Sequence, residues 1–393
     1  VLAGLLSLAV AMGIGRFAFT PLLPMMLHDG VIDLAGASWL ASANYLGYLI
    51  GAMACALQPA LWRRWVRLRP LSHTAAVRTG LVATVLLTLG MALPLPALWP
   101  LWRFLAGTAS ALVFVYVAGW CLARLAALGT PALAGLIFVG PGLGIAASGL
   151  AASAMVALGW HAATGWAVFA LLAAALCAIA WPHLQGAVAA LPAALAAETP
   201  PRRGSMALFT LAYGLSGFGY IVTATFLPVI ARQMLPGSVW LDLFWPLFGL
   251  GVALGALLTV RVPPHWHRRH LLMAGYAMMA SGVLLSVWLP SLWGFAAGSL
   301  LLGLPFTAIT LFAVQEVRRL QPHDASAAIG LLTVAFSLGQ IAGPPLVALL
   351  LAHSASAAQG FAWSLKTAAA ALLAGLLLFA WIDWRDRPPA SPR

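Results

Sequence analysis

The sequence predicts an all-α membrane protein with twelve transmembrane helices in two pseudo-symmetric six-helix bundles, and three observations predict it. Only 7% of the 393 residues are charged and 63% are apolar, against roughly 25% charged in a soluble domain, so lipid must be the solvent for most of the chain. Apolar runs of about 20 residues, the length a helix needs to cross hydrocarbon, recur twelve times between clusters of Arg, His, Pro and Asp. The first six runs also resemble the second six at a constant offset.

The runs are 3–27, 35–58, 75–95, 98–123, 132–156 and 163–182, then 206–230, 239–260, 271–289, 293–315, 325–351 and 361–382. They are apolar on every side, as lipid demands, and lack the alternation of β-barrel strands. The longest polar stretch, 183–205, carries Pro192, Glu198, Pro200, Pro201, Arg202 and Arg203. It reads as a cytoplasmic linker between a first bundle at 1–182 and a second at 206–393 with a short cytoplasmic tail. The chain opens directly into an apolar helix with no charged leader, so no signal peptide is expected.

The net charge of +12 does not imply a nucleic-acid partner, because the basic residues form short clusters between apolar runs rather than a basic domain. Their placement is a topology signal. With the N-terminus inside, the inner loops hold Arg63, Arg64, Arg67, Arg69, Arg78, Arg124, Arg202, Arg203, Arg261, Arg268, Arg269, Arg318, Arg319, Arg385, Arg387 and Arg393, sixteen of the twenty basic residues. Both termini are then cytoplasmic, which requires an even span count, and twelve satisfies it. A multi-pass protein of the bacterial inner membrane, monomeric and surrounded by lipid, is the expectation. Cys55, Cys121 and Cys177 lie inside apolar runs without metal-ligand spacing and read as small buried hydrophobes.

A shift of 204 residues carries Gly13, Gly15, Leu23 and Pro24 onto Gly217, Gly219, Leu227 and Pro228, and Gly47, Gly51 and Ala52 onto Gly251, Gly255 and Ala256. A shift of 203 carries Gly140-Pro141 onto Gly343-Pro344. Six spans per half make these parallel repeats about an axis along the membrane normal, an arrangement that places a solute near the midplane between the halves.

The segment Gly13-Ile14-Gly15-Arg16-Phe17-Ala18-Phe19-Thr20-Pro21-Leu22-Leu23-Pro24 resembles the first-helix signature of YbfB/YjiJ-type major facilitator transporters. The stretch from Trp39 to Gly51 resembles the same family, and Gly140-Pro141-Gly142 in the fifth span is similar to the Gly-Pro motif of major facilitator antiporters. The resemblance implies the fold and the transport class; it names no solute. The loop Gln58–Arg67 departs from the superfamily pattern, keeping the basic residues but not the Asp, so the gating role of that motif does not carry over.

Arg16 is the strongest single signal. It lies mid-span, where a charge costs roughly 2.5–3.5 kcal/mol on insertion scales, and arginine does not shed its proton. It is expected to face an inter-bundle cavity and meet water, carbonyls or an anion; pinning a neighbouring helix is the plainer alternative. Thr20 shares its face four residues on. In span seven Tyr213, Ser216, Tyr220 and Thr223 form one polar stripe, and Tyr220 is the counterpart of Arg16 under the 204 shift. Asn44 and Tyr48 share a face of span two, with helix–helix hydrogen bonding as the alternative for Asn44. Tyr116, Thr307, Thr310, Gln315, Ser337 and Gln340 rank lower. Arg103 and Lys366 lie within two turns of outer span ends and are expected to snorkel, although Arg103 could also draw anions to an outward-open mouth. The Gly-x3-Gly pairs are expected to pack helices closely, and the two Gly-Pro motifs to kink spans five and eleven.

None of the eight carboxylates falls at a predicted midplane. Asp242 is nearest, about one turn into span eight, and is the candidate for coupling or gating. A cavity with a permanent cation and no central acid points to an anionic or carboxylate-bearing solute. A proton-driven efflux carrier for neutral or cationic compounds is the alternative, and a non-transporting sensor is the rival of another class. Paired acids, a Ser–His dyad at helix depth and metal-ligand spacing are all missing from the sequence, so neither an enzyme nor a cofactor is expected. His265, His267 and His270 with Arg268 and Arg269 read as a solvated basic loop.

Overall fold

The structure, a computed structural model, describes residues 1–65, 72–185, 203–235, 240–263, 265–321 and 325–386, with backbone alone for 58–65, 131, 132, 134, 203–205 and 325–327. Arg67, Arg69, Pro192, Glu198, Pro200, Pro201, Arg202, Asp324, Arg387 and Arg393 lie outside the described residues. Among those described there is no strand, and twelve helices are long and apolar enough to cross a membrane. They are α1 Leu2–His28, α2 Leu34–Leu57, α3 His73–Gly90, α4 Pro96–Ala127, α5 Gly135–Ala157, α6 Ala162–His183, α7 Met206–Met234, α8 Leu241–Thr259, α9 Arg268–Trp288, α10 Leu292–Leu320, α11 Ala328–Ala352 and α12 Ala357–Arg385.

The repeat has a packing cause. A Cβ on Gly47 would stand 1.8 Å from the Phe104 carbonyl oxygen and one on Gly107 2.0 Å from that of Asn44, so α2 and α4 touch backbone to backbone. In the second half Gly255 and Gly303 stand likewise 1.7 and 2.3 Å from the Leu304 and Phe248 carbonyls, which joins α8 to α10. Only a residue without a side chain permits that approach. Gly255→Ala is expected to cost on the order of 1–3 kcal/mol by overpacking, read as a lower melting temperature of the purified protein. An unchanged melting temperature would refute the close approach.

α1 and α7, counterparts under the 204 shift, are the innermost helices. In each, 83% of the central stretch is buried, against 61% or less in the other ten. They meet directly: the Thr20 hydroxyl donates to the carbonyl of Ala224 at 2.8 Å. These two residues are themselves counterparts, so the pseudo-twofold axis passes close to this bond.

α1 is not a regular helix. Leu2–Leu8 is α-helical, Ala9–Arg16 widens to i→i−5 bonding, and Phe19–His28 resumes the α-helix with Pro24 inside it. The Thr20 N–H bonds the Phe17 carbonyl and Pro21 has no N–H to offer, which leaves the Arg16 carbonyl for another donor. π-type turns of this kind concentrate at functional sites.

The two Gly-Pro motifs sit differently in their helices. Residues Pro131–Phe138 wind as a 3₁₀ helix and α-helical bonding begins at Val139, so Pro141 sits in a first turn that does not need its N–H. The helix Ala325–Ala352 runs unbroken through Pro344 and Pro345.

Glu316, placed by the sequence just beyond its span, is 1% exposed inside the last turns of α10. Arg269 binds it at 2.8 Å and Arg319 at 2.9 Å, and Arg269 also pairs with Asp386 at 3.0 Å. This charge cluster ties α9, α10 and α12 together on the face that carries the chain ends. At the opposite face Asp29, just past α1, accepts the Ala162 N–H at 2.7 Å and so caps α6. Burial pushes the Asp29 carboxyl up, but that N–H and the neighbouring His161 outweigh it and hold the group below its usual range.

Candidate functional site between the two halves

Arg16 emerges from the widened stretch of α1 and is 3% exposed. One Nη donates to Gln340 Oε1 on α11 at 2.6 Å, and Gln340 Nε2 donates in turn to the Tyr220 hydroxyl on α7. The guanidinium lies 3.9 Å from the centroid of the Tyr48 ring on α2, with the Tyr45 and Phe17 rings at 5.6 and 5.5 Å. Desolvated cation–π contacts of this kind are worth about 2 kcal/mol or more. The Arg16 Nε is buried with no partner among the described residues.

Arg16 and Tyr220, paired by the repeat, thus do come together, with Gln340 as the bridge. Around them the halves are stitched by Tyr45 and Thr225 hydroxyls at 2.8 Å and by Ser42 donating to the Ile341 carbonyl at 3.3 Å. Nearer the chain-end face the join is apolar. A Cβ on Gly142 of α5 would lie 2.4 Å from the Ala253 nitrogen of α8, and one on Gly249 2.5 Å from the Ala146 nitrogen.

Arg103 does not snorkel and does not face an outer mouth. It is 2% exposed and its two Nη groups donate to the Gly15 and Arg16 carbonyls at 3.2 and 3.1 Å. The reason is the break in α1: at lipid depth a carbonyl without a helical donor must find one elsewhere, and α4 supplies it. Ser110, seven residues on along α4 and so on the same face, donates to the Ala11 carbonyl. Burial of Arg103 is bearable because both carbonyls accept from it.

Asn44 is drawn into the same scaffold. Its amide donates to the Arg103 carbonyl at 2.9 Å while its Oδ1 has no partner among the described residues. It holds α2 to α4, which is the helix-pinning alternative. The Tyr213 hydroxyl donates to Thr310 at 3.1 Å and its ring stacks on Phe336 at 5.1 Å. Thr223 is 3% exposed, and its hydroxyl and that of Thr307 have no partner among the described residues. The Tyr116 ring meets the His73 ring in a T-shaped pair at 5.3 Å. Gln315 is exposed.

Asp242 lies in the short 3₁₀ turn that opens α8 and is bound by Arg232 at 2.5 Å. The pair also explains why Arg232 stands apart from the sixteen inner basic residues. Asp242→Asn is expected to leave vesicle uptake and its pH dependence within about twofold of wild type, because a partly exposed pair contributes little. A lost pH dependence would assign Asp242 to coupling.

Phe17, Tyr45, Ser42, Thr225 and Trp245 were not singled out from the sequence. Phe17 meets Trp245 and Phe306 edge-on, each at 6.1 Å. The advance signal for the first four was proximity in sequence to Arg16, Tyr48 and Thr223; Trp245 had none. On the chain-end face His265, His267, Arg268, Arg269, Glu316 and Asp383 line a cleft of about 380 Å³. No group of three His, Cys, Asp or Glu among the described residues could hold a metal ion.

Twelve helices in two related halves, meeting around a guanidinium at mid-depth, define a membrane carrier of the major facilitator fold. The nucleoside transporter NupG has the same fold, at TM-score 0.68 and 15% identity over 96% of this chain and 98% of that one. A point mutant of that transporter gives 0.71 and 14% over 97% and 100%. A bacterial homologue of the human lysosomal transporter Spinster, inward-facing and unoccupied, gives 0.67 and 11% over 99% and 98%. At these identities the likeness is one of fold. No curated protein matches the chain in sequence. Residues 8–379 match the family described as uncharacterised MFS-type transporter YbfB, and the chain belongs to it. It is a multi-pass membrane transporter and not an enzyme.

Proposed function

We propose that the protein carries a small anionic or carboxylate-bearing solute by alternating access between halves 1–182 and 206–393, joined by the cytoplasmic linker 183–205. In this reading it works as a monomer in the bacterial inner membrane with both termini in the cytoplasm, the orientation favoured by the sixteen clustered arginines. Arg16 is the counter-charge, Tyr48, Tyr220 and Gln340 are its movable partners, and Thr20, Tyr213, Thr223 and Thr307 flank the route.

One observation carries the reading. Among the described residues, the buried polar atoms without partners on the helices lining this seam include Arg16 Nε, Trp245 Nε1 and the hydroxyls of Thr223, Thr307 and Ser337, with Asn44 Oδ1 as an acceptor; Ser7, Thr210 and Arg232 carry others on α1 and α7. Nearly all can donate, and unsatisfied buried donors call for an acceptor. A guest with anionic oxygens supplies what the protein lacks. A cationic guest would meet the Arg16 charge with no carboxylate among the contacts of that side chain. Protons that move would ride on the solute.

Flux of a panel of labelled anions, neutral solutes and cations into vesicles holding the purified protein tests this. Carriage of anions is expected. Carriage confined to cations or neutral compounds, or no flux of any solute, would overturn the reading.

A further inference from the structure

We propose that the anion is an aromatic monocarboxylate; this deepens the anionic reading above and rests on it. Three observations carry it, on charge, shape and donors.

Charge sets the valence. Of the two guanidiniums buried at this depth, Arg103 is turned onto the α1 carbonyls and only Arg16 faces the seam. One cation matches one carboxylate. A second carboxylate would sit unpaired against ring faces, which is costly.

Shape sets the body of the guest. The seam beside Arg16 is walled by Phe17, Tyr48, Tyr220, Trp245, Phe306 and Phe336, which come from six different helices of both halves. Tyr220 meets Phe306 edge-on at 4.9 Å and stacks on Phe336 at 5.6 Å. Phe17 meets Trp245 and Phe306 edge-on at 6.1 Å. A flat ring entering this group replaces edge-to-face and offset contacts with contacts of the same geometry. A saturated ring of similar size offers neither a π face nor a planar outline.

Donors set where the carboxylate lies. Both Arg16, whose Cζ is 5.5 Å from the Phe17 centroid, and Trp245, whose ring centre is 6.1 Å from it, neighbour Phe17. Arg16 Nε and Trp245 Nε1 are both buried without a partner among the described residues. Each is an unsatisfied donor of the kind a carboxylate oxygen accepts, with Arg16 supplying the charge.

Calorimetric titration of the full-length protein in lipid nanodiscs with benzoate, cyclohexanecarboxylate, phthalate, acetate and benzyl alcohol tests the inference. Benzoate is expected to bind at least tenfold more tightly than the other four. Trp245→Phe keeps an aromatic ring and removes the donor; measured below its melting temperature, it should weaken benzoate about tenfold. Equal binding of benzoate and cyclohexanecarboxylate, or tighter binding of phthalate or acetate, would overturn the aromatic inference and leave the anionic reading standing. Benzyl alcohol binding as tightly as benzoate, or no acid binding at all, would overturn both. Full benzoate affinity in Trp245→Phe would remove Trp245 as a donor to the guest.

Discussion

Arg16→Gln is expected to lower anion transport about 100-fold while the protein still reaches the membrane folded. A hydrogen bond to a charged group is worth about 1.5–3 kcal/mol, and each 1.4 kcal/mol is about tenfold in binding. The amide keeps a polar contact toward Gln340, so the seam stays satisfied and only the charge is lost. Arg16→Lys should fall in between. The ammonium restores the charge but neither the planar face that lies on Tyr48 at 3.9 Å nor the forked donors. Initial rates of uptake into vesicles, normalised to folded protein, check both variants. Rates for Arg16→Gln within twofold of wild type would remove Arg16 from the mechanism and leave the carrier fold intact.

Arg103→Leu is expected to produce the largest loss of stability of any single change at the seam. It strips donors from the Gly15 and Arg16 carbonyls, and at lipid depth each unsatisfied carbonyl costs on the order of several kcal/mol. Arg103→Lys should recover part of it, because one ammonium can reach a carbonyl without spanning both. Arg103 touches the backbone of Arg16 rather than any guest, so its second effect is on position. The Lys variant, assayed below its melting temperature, is expected to show a raised KM with Vmax near wild type. A lower melting temperature with an unchanged KM would confine Arg103 to scaffolding.

The two variants separate what was legible in the chain from what was not. That Arg16 stood out could be read from one charge in the middle of an apolar run, whose insertion cost must be met either by a polar cavity or by a neighbouring helix. That Arg103 matters for a different reason could not. Its distance from a span end fitted snorkelling, and the break in α1 that recruits it leaves only the weak signature of Gly13, Gly15 and Pro21. The seven-residue spacing of Arg103 and Ser110 was a usable clue to a polar face of α4. Glu316 was misplaced because hydropathy ends a span at the first charge, whereas this carboxylate is buried by two arginines that neutralise it.

The sequence by itself determined the helical class, the number of spans, the repeat and the family, because lipid enforces one secondary structure and a narrow range of lengths, and because shared ancestry leaves glycines at constant offsets. The tertiary structure alone decided which polar groups meet. Gln340 bridging Arg16 to Tyr220, Asn44 holding Arg103, and Arg232 claiming Asp242 all depend on which face each helix turns to its neighbours. In helices apolar on every side the pattern of side chains does not encode that rotation; close backbone contacts at a few glycines, and the need to satisfy every buried donor and acceptor, set it.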